Sequence, residues 1–179
     1  HALVMGLEYC GDRLTSDRFV NHKMTSRTLE ETEFYVQDDW TVNNHWMFSG
    51  GVRTNFSEAF GFMYMPKIAA KYSPDGYWAI RANYSMGYRS PSIKELFFNW
   101  DHLGMFMIKG NEFLKPEKNN YVSAGVEYSN RHFFFNSTLY GNFYRKKIEG
   151  VWRIYDMQYN FEYVNLDRQT IAGVDLLGR

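Results

Sequence analysis

The chain has 179 residues, of which 19% are aromatic and only four are proline. Twenty basic and 20 acidic residues leave no formal net charge, so the composition gives no sign of a nucleic-acid-binding module or of a disordered, charged tail. The single cysteine, Cys10, excludes an internal disulfide framework and a zinc site built from cysteines.

Eight stretches of the chain alternate apolar and polar residues at period two, which is the pattern of a β-strand. In chain order they cover residues 3–9, 33–40, 46–53, 62–72, 78–88, 122–128, 133–143 and 163–176. No run of 18 apolar residues encodes a membrane-spanning helix, but a spanning strand needs only about 9–11 residues with every second one apolar. The pattern therefore predicts an all-β, antiparallel up-and-down sheet of about eight strands.

The links between these stretches alternate in length. Short turns are predicted at Asn43-Asn44, at residues 73–76 and at Asn130-Arg131. Longer links are predicted at about residues 11–30, 54–61, 89–119 and 146–161. Short turns on one edge and long loops on the other are typical of transmembrane barrels, and a soluble β-sandwich rarely needs a loop of about 30 residues.

Aromatic residues are expected near the strand ends, where a transmembrane barrel carries its interfacial girdles. These residues are Tyr9, Trp40, Trp46, Tyr77, Trp78, Tyr88 and Tyr144. An ordinary aromatic-rich core is the alternative interpretation.

Two proline-bearing motifs flank the longest link. The first is Tyr88-Arg89-Ser90-Pro91 within GYRSPSIKELF, and the second includes Asn111, Leu114, Pro116 and Glu117 within GNEFLKPEKNNYVSAGVEY. With FYVQDDWTVNNHWMFSGGVR before them and YVNLDRQTIAGVDL after them, these segments resemble, in order, the β-barrel of TonB-dependent outer-membrane receptors. Ser90 replaces the usual alanine, and Glu112 stands where proline is common.

The resemblance implies that residues 1–179 are an internal fragment of a barrel of about 22 strands, with the plug domain and the closing strands absent. It also implies active uptake of a scarce ligand across the outer membrane of a Gram-negative bacterium. The partners would be the TonB energy-coupling protein, reached through the missing plug, a small-molecule ligand and outer-membrane lipid. No intrinsic cofactor and no nucleic acid are expected.

His102 lies between the two motifs, as a histidine does in the haem-uptake members that this sequence resembles. Neutral imidazole binds iron, and flat aromatic and thioether side chains such as Trp100 and Met105 suit a porphyrin. The cations available for haem propionates are Arg89, Lys94 and Lys109. The alternatives are a loop histidine with a structural hydrogen bond, methionines that only pack, and cations that are simply solvated.

Several functions stay open at this point. Haem is the first candidate ligand, followed by a ferric siderophore or cobalamin and then an oligosaccharide, while a structural barrel or adhesin is a different class. No HExxH, GxSxG, P-loop or GxGxxG sequence is present, so an enzyme is not predicted. The cluster Arg145-Lys146-Lys147, expected at the end of the seventh strand, could contact lipopolysaccharide phosphates or could be a solvated loop edge.

Overall fold

The computed structural model describes residues 1–19, 22–155 and 157–179, and within them the chain is almost entirely β-strand. The elements are β1 (Ala2–Ser16), β2 (Thr25–Thr41), β3 (Trp46–Ser57), β4 (Gly61–Tyr72), β5 (Trp78–Arg89), α1 (Ile93–Phe97), β6 (Asn99–His102), β7 (Phe106–Lys109), β8 (Glu117–Ser129), β9 (Phe134–Tyr155) and β10 (Gln158–Gly178). No helix in these ranges is long and apolar enough to cross a membrane.

The strands form one sheet in the order β1-β2-β3-β4-β5-β8-β9-β10-β7-β6. The eight long strands pair antiparallel with their neighbours, and each contains one of the alternating stretches, so the predicted antiparallel sheet is confirmed. The two short strands, β6 and β7, lie in the link expected to be a loop. β7 pairs with β10 in parallel, from Phe106 opposite Tyr159 to Lys109 opposite Glu162, which an up-and-down sheet does not predict.

The two faces of the sheet differ in polarity, as the alternation predicts. On one face the apolar side chains are exposed: Leu3, Met5, Leu7, Phe34, Phe48, Ile68, Ile80, Val122, Leu139 and Val174 are examples. The other face carries paired polar groups, such as Arg81 with Glu127 and Asn119 with Asn142. Among the described residues this face is left uncovered, and an exposed apolar band of this kind is typical of the lipid-facing surface of a transmembrane barrel.

Three short turns are built in the same way. The side-chain oxygens of Asn43, Asp75 and Asn130 each accept two backbone N–H groups, two and three residues further along the chain, at 2.8–2.9 Å. Asn and Asp favour such turns because their short side chains replace a backbone acceptor. The predicted positions of the short turns are therefore confirmed, and all three lie on one edge of the sheet.

Aromatic rings line the sheet beside these turns. Trp46 stacks on Phe48 with centroids 5.6 Å apart and contacts Tyr72 at 4.5 Å, and Trp78 contacts Tyr128 at 4.8 Å. Rings with an apolar body and a polar edge suit the boundary between hydrocarbon and water. This edge of the sheet thus carries the expected girdle.

The long-loop edge differs from the prediction, because the strands continue well past the apolar band. β1 runs to Ser16, β3 runs to Ser57, and only two residues separate Tyr155 from Gln158, so the long link predicted at 146–161 is wrong. Residues 20, 21 and 156, inside two of the predicted links, lie outside the described residues. Beyond the apolar band the outer face no longer meets lipid, so a strand there keeps its hydrogen bonds but loses its alternation of polarity, even where its other face is buried, as at Asn55, Ser57 and Ile148.

Candidate functional site

Residues 90–116 form an ordered insertion between β5 and β8. Its helix, α1, begins directly after the motif Tyr88-Arg89-Ser90-Pro91. Ser92 caps α1: its hydroxyl accepts the Glu95 amide at 3.3 Å, while the Glu95 carboxylate accepts the Ser92 amide at 2.8 Å. This reciprocal capping box stabilises the start of a helix too short to persist alone. Pro91 is fully buried, and Leu96 points into the core of the insertion.

Arg89 joins the two sequence motifs. Its Nη1 donates to both carboxylate oxygens of Glu95 at 3.1 Å, and its Nη2 lies 3.7 Å from the carboxylate of Glu117. Glu117 in turn accepts the Ile148 amide of β9 at 3.0 Å. The guanidinium is therefore engaged by two carboxylates at the base of the insertion, and the geometry gives it partners other than a ligand.

The second motif completes this base. The Asn111 amide donates to the Glu95 carbonyl at 2.8 Å, and the Asn111 side chain donates to the Tyr163 carbonyl at 3.2 Å. Leu114 packs with Leu96 and Ile148 in the small buried core. The motif residues thus act together as a scaffold that fixes both ends of the insertion.

Tyr163 of β10 borders the same core. Burial, and secondarily the Glu95 carboxylate, raise the pKa of the Tyr163 phenol above its ordinary value. The shift is in the direction expected for a phenol beside an apolar core, where the charged phenolate is disfavoured.

His102 lies at the end of β6, in a hairpin that projects from this base. Its ring lies 4.9 Å from that of Trp100, edge to face, and 4.8 Å from that of Phe106. Its Nδ1 is buried and has no hydrogen-bond partner among the described residues. At the hairpin tip, Leu103 and Gly104 both adopt positive φ. The imidazole is thus held by rings, while no neighbouring polar group fixes its tautomer.

The hairpin is attached on both sides. Its strand β7 extends the sheet at β10, and Phe106 meets Trp152 of β9 edge to face at 5.0 Å. On the other side the Arg18 guanidinium lies 4.1 Å from the centroid of Trp100, and Phe19 pairs with Phe98 in an isolated bridge. The insertion therefore spans from the β1–β2 link to the β9–β10 hairpin.

Large apolar side chains around the hairpin remain exposed at the long-loop edge. They are Leu103, Met105, Phe113, Trp152, Tyr155, Met157 and Tyr159, with exposed fractions from 40% for Tyr155 to 98% for Met157. A patch of this kind is a candidate binding surface.

The predicted site residues divide into two groups. Trp100, His102, Met105 and Lys109 all lie in the β6–β7 hairpin, and the Lys109 ammonium is 5.5 Å from the Tyr155 ring. Arg89 and the motif residues form the base, and Lys94 is exposed on α1 beside a groove that also contains Asp12, Arg13 and Leu14.

Sequence reasoning missed Arg18, Phe19 and Trp152, which lie in links assumed to be irregular. For Trp152 a signal was present, because Trp152, Ile154 and Tyr155 give 151–155 a weak strand pattern. For Arg18 and Phe19 no local pattern indicates the contact, since their partners Trp100 and Phe98 are about 80 residues away.

The sheet is open, its outer face is compatible with lipid, short turns lie on one edge and an ordered insertion lies on the other. Together these features define part of a transmembrane β-barrel receptor. The model of the family described as "TonB dependent receptor-like, beta-barrel" matches residues 1–179, and the chain belongs to this family. It is a segment of a larger barrel in the outer membrane of a Gram-negative bacterium.

The chain is similar to known members at low identity. It is 26% identical over 133 residues to an iron-regulated outer membrane virulence protein of Vibrio cholerae, covering 72% of this chain and 20% of that protein. A probable hemoglobin and hemoglobin-haptoglobin-binding protein of Haemophilus influenzae is 25% identical over 63% of this chain and 12% of its own length. The siderophore receptor PirA from Pseudomonas aeruginosa superposes with a TM-score of 0.85 at 18% identity, covering 97% of this chain and 35% of PirA. The chain thus spans at most a fifth of the curated relatives and about a third of the solved receptor.

Proposed function

We propose that the complete receptor carrying this chain imports an iron complex across the outer membrane, with haem as the first candidate. The observation that carries the proposal is the His102 ring, which is held between Trp100 and Phe106 on a projecting hairpin and has no polar partner for Nδ1 among the described residues. In the alternative interpretation, a structural histidine would have a hydrogen-bond partner. Its position among exposed apolar side chains supports a role in ligand binding.

The residues of the hairpin fit haem chemically. A neutral imidazole can ligate the iron, and the flat rings with the exposed Met105 thioether offer apolar surface to a porphyrin. The Lys109 ammonium could meet a propionate. One relative bears a name that refers to haemoglobin binding, which supports haem as the cargo.

The insertion would take up the ligand on the extracellular side, because the family's short turns face the periplasm and its long loops face outward. Transport through the barrel would draw on the TonB energy-coupling protein, acting on a plug domain. A receptor role is supported by the family to which the chain belongs and by the solved receptors that it resembles in fold.

The test is a haemin titration of the full-length receptor followed by Soret absorbance. We expect the native receptor to give a red-shifted Soret band. This shift should be lost in His102→Ala and retained in His132→Ala. His132 is the matched control because it is an exposed histidine in a short turn on the opposite edge of the sheet.

The other outcomes separate the parts of the proposal. A Soret shift that survives in His102→Ala would keep haem as ligand and remove His102 as iron ligand. No shift in the native receptor would refute haem, and ferric siderophore and cobalamin titrations monitored by quenching of tryptophan fluorescence would follow.

A further inference from the structure

Three cations lie side by side across three adjacent strands. Lys118 of β8 is directly opposite Arg145 of β9, and Arg145 is directly opposite Arg168 of β10. Side chains opposite each other on neighbouring strands are about 5 Å apart, and like charges in such pairs are destabilising. We call Lys118, Arg145 and Arg168 the cation row. Two like-charged pairs in succession call for an anion that is not part of this chain.

The cation row lies on the apolar outer face of the sheet. Residues two apart on a strand share a face, so Arg145 lies on the face of Phe143, Gly141 and Leu139. A Cβ built at Gly141 would lie 3.1 Å from the Phe143 ring and 3.6 Å from Val122, which places these neighbours on one face. Phe143, Leu139 and Val122 are exposed there. The row is thus the first charged level above the lipid-facing band, on its extracellular side.

The row is not neutralised within the protein. In the described part of the chain, no carboxylate lies within 4.0 Å of the charged nitrogens of its three members. The nearby Asp167 is hydrogen-bonded to Lys146, and this cation first, with a smaller contribution from Arg168, lowers the pKa of the Asp167 carboxyl, so this carboxylate beside the row is already paired outside it.

A cavity completes the site. All three members of the row line a cavity of about 650 Å³. Two further cations, Lys115 and Lys146, one carboxylate, Asp167, and the apolar side chains of Phe60 and Met63 also line it, so positive charge is in excess. The cavity thus joins positive charge to apolar surface, which is the combination that an amphiphilic anion requires.

We propose that the cation row binds the phosphate groups of an outer-leaflet glycolipid, with the acyl chains lying along the apolar band below it. Arginine and lysine suit this role because guanidinium binds phosphate oxygens bidentately and ammonium binds them as a point charge. A lipid is favoured over a soluble anion because the row is on the outer face, directly above exposed Phe143, Leu139 and Val122, whereas the ligand hairpin belongs to the extracellular insertion. The inference is independent of which ligand the receptor imports.

The test is native mass spectrometry of the delipidated full-length receptor titrated with diphosphoryl lipid A and with fully dephosphorylated lipid A. The row variant combines Lys118→Gln, Arg145→Gln and Arg168→Gln. A control variant loses the same charge elsewhere: Lys23→Gln, Lys67→Gln and Arg131→Gln. A conservative variant keeps the charge: Arg145→Lys and Arg168→Lys. Heat-modifiable mobility in gel electrophoresis checks that each barrel is folded.

The row variant is expected to bind diphosphoryl lipid A at least about tenfold more weakly than the native receptor, since each basic residue near anionic headgroups contributes measurably. The control variant should bind within about twofold of the native receptor, and dephosphorylated lipid A should bind all variants alike. The variant that keeps the charge should bind with an affinity between those of the native receptor and the row variant, because ammonium contacts phosphate only as a point charge. If the row variant misfolds, the single Arg168→Gln replaces it, with a proportionally smaller loss expected.

Three outcomes would overturn the inference. Equal affinity of native receptor and row variant for diphosphoryl lipid A would show that the row does not contact the lipid. Equal binding of phosphorylated and dephosphorylated lipid would show that the protein contacts the acyl chains and not the phosphate groups. Equally tight binding of the acyl-free phosphorylated disaccharide would identify a soluble anion, and not a lipid, as the occupant.

Discussion

Replacing Arg89 with methionine should loosen the base of the insertion while leaving the barrel intact. The substitution removes the guanidinium but keeps much of the apolar stem, so Glu95 and Glu117 would lose their counter-charge. Their side chains are only 15% and 14% exposed, whereas that of Arg89 is 45% exposed. Breaking a fully buried pair costs about 3–5 kcal/mol and an exposed pair about 0–1 kcal/mol, so this mixed case should cost about 2 kcal/mol.

Native-state hydrogen exchange of the full-length receptor measures that cost locally. The Asn111 amide donates to the Glu95 carbonyl and therefore exchanges only when the base opens. A loss of about 2 kcal/mol should accelerate its exchange about thirtyfold, because each 1.4 kcal/mol is a factor of ten. Amides in the middle of β3, far from the base, should not change.

Two further variants make this test specific. Lys94→Met removes an exposed cation of the same helix and should leave exchange at Asn111 unchanged. Arg89→Lys keeps the charge but loses the two-oxygen contact with Glu95, so its effect should be intermediate. Unchanged exchange in Arg89→Met, together with weaker ligand binding, would refute the scaffold role and return Arg89 to the ligand site.

Three other perturbations probe the same insertion. Gly110→Ala should open the base, because its Cβ would lie 2.7 Å from the Leu96 carbonyl carbon. Gly76→Ala is the control, since its Cβ would meet nothing within 4 Å. Comparing hydrogen exchange of the Asn111 amide in the two variants tests this. Leu114→Ala should destabilise the insertion by about 2–4 kcal/mol through an unfilled cavity, and unaltered protease resistance of residues 90–116 would contradict it. The phenol of Tyr163 has a raised pKa, so its contribution to stability is complete below the unfolded pKa of about 10 and falls as pH rises further. The difference in alkaline unfolding between the native receptor and Tyr163→Phe measures this contribution.

The sheet could be predicted from the sequence wherever one face of a strand meets lipid. Between Trp78 and Tyr88 every second residue is apolar, and the structure has β5 at these positions, as that pattern predicts. In this part of the molecule one face of the strand meets lipid and the other does not, so apolar and polar residues must alternate. That alternation is visible in the sequence.

The prediction failed where the strands extend beyond the lipid-facing band. Residues 146–155 continue β9, although Arg145-Lys146-Lys147 and the mixed residues after them look like a loop. What holds them is backbone pairing with β10, and backbone hydrogen bonds leave no mark in the identity of exposed side chains. For the same reason β6 and β7, at four residues each, gave no signal of their own.

The sequence motifs gave the position of the candidate site along the chain, but they did not predict how its residues are arranged. The sequence places Arg89 and His102 in one long link, which suggests one shared role. The structure separates them: Arg89 bonds carboxylates at the base, and His102 sits among rings on the hairpin. That division depends on Glu117, Trp152 and Arg18, whose positions relative to the link are set by the fold as a whole.

The parallel pairing of β7 with β10 has a consequence for assembly. Residues 106–109 can complete their hydrogen bonds only after residues 159–162, some fifty positions later in the chain, have joined the sheet. Contacts between distant parts of a chain form late, because closing the intervening loop costs entropy first. The hairpin that carries His102 is therefore held against the sheet only once β8, β9 and β10 are in place, so a half-inserted receptor would not present to the medium the finished surface proposed to bind the ligand.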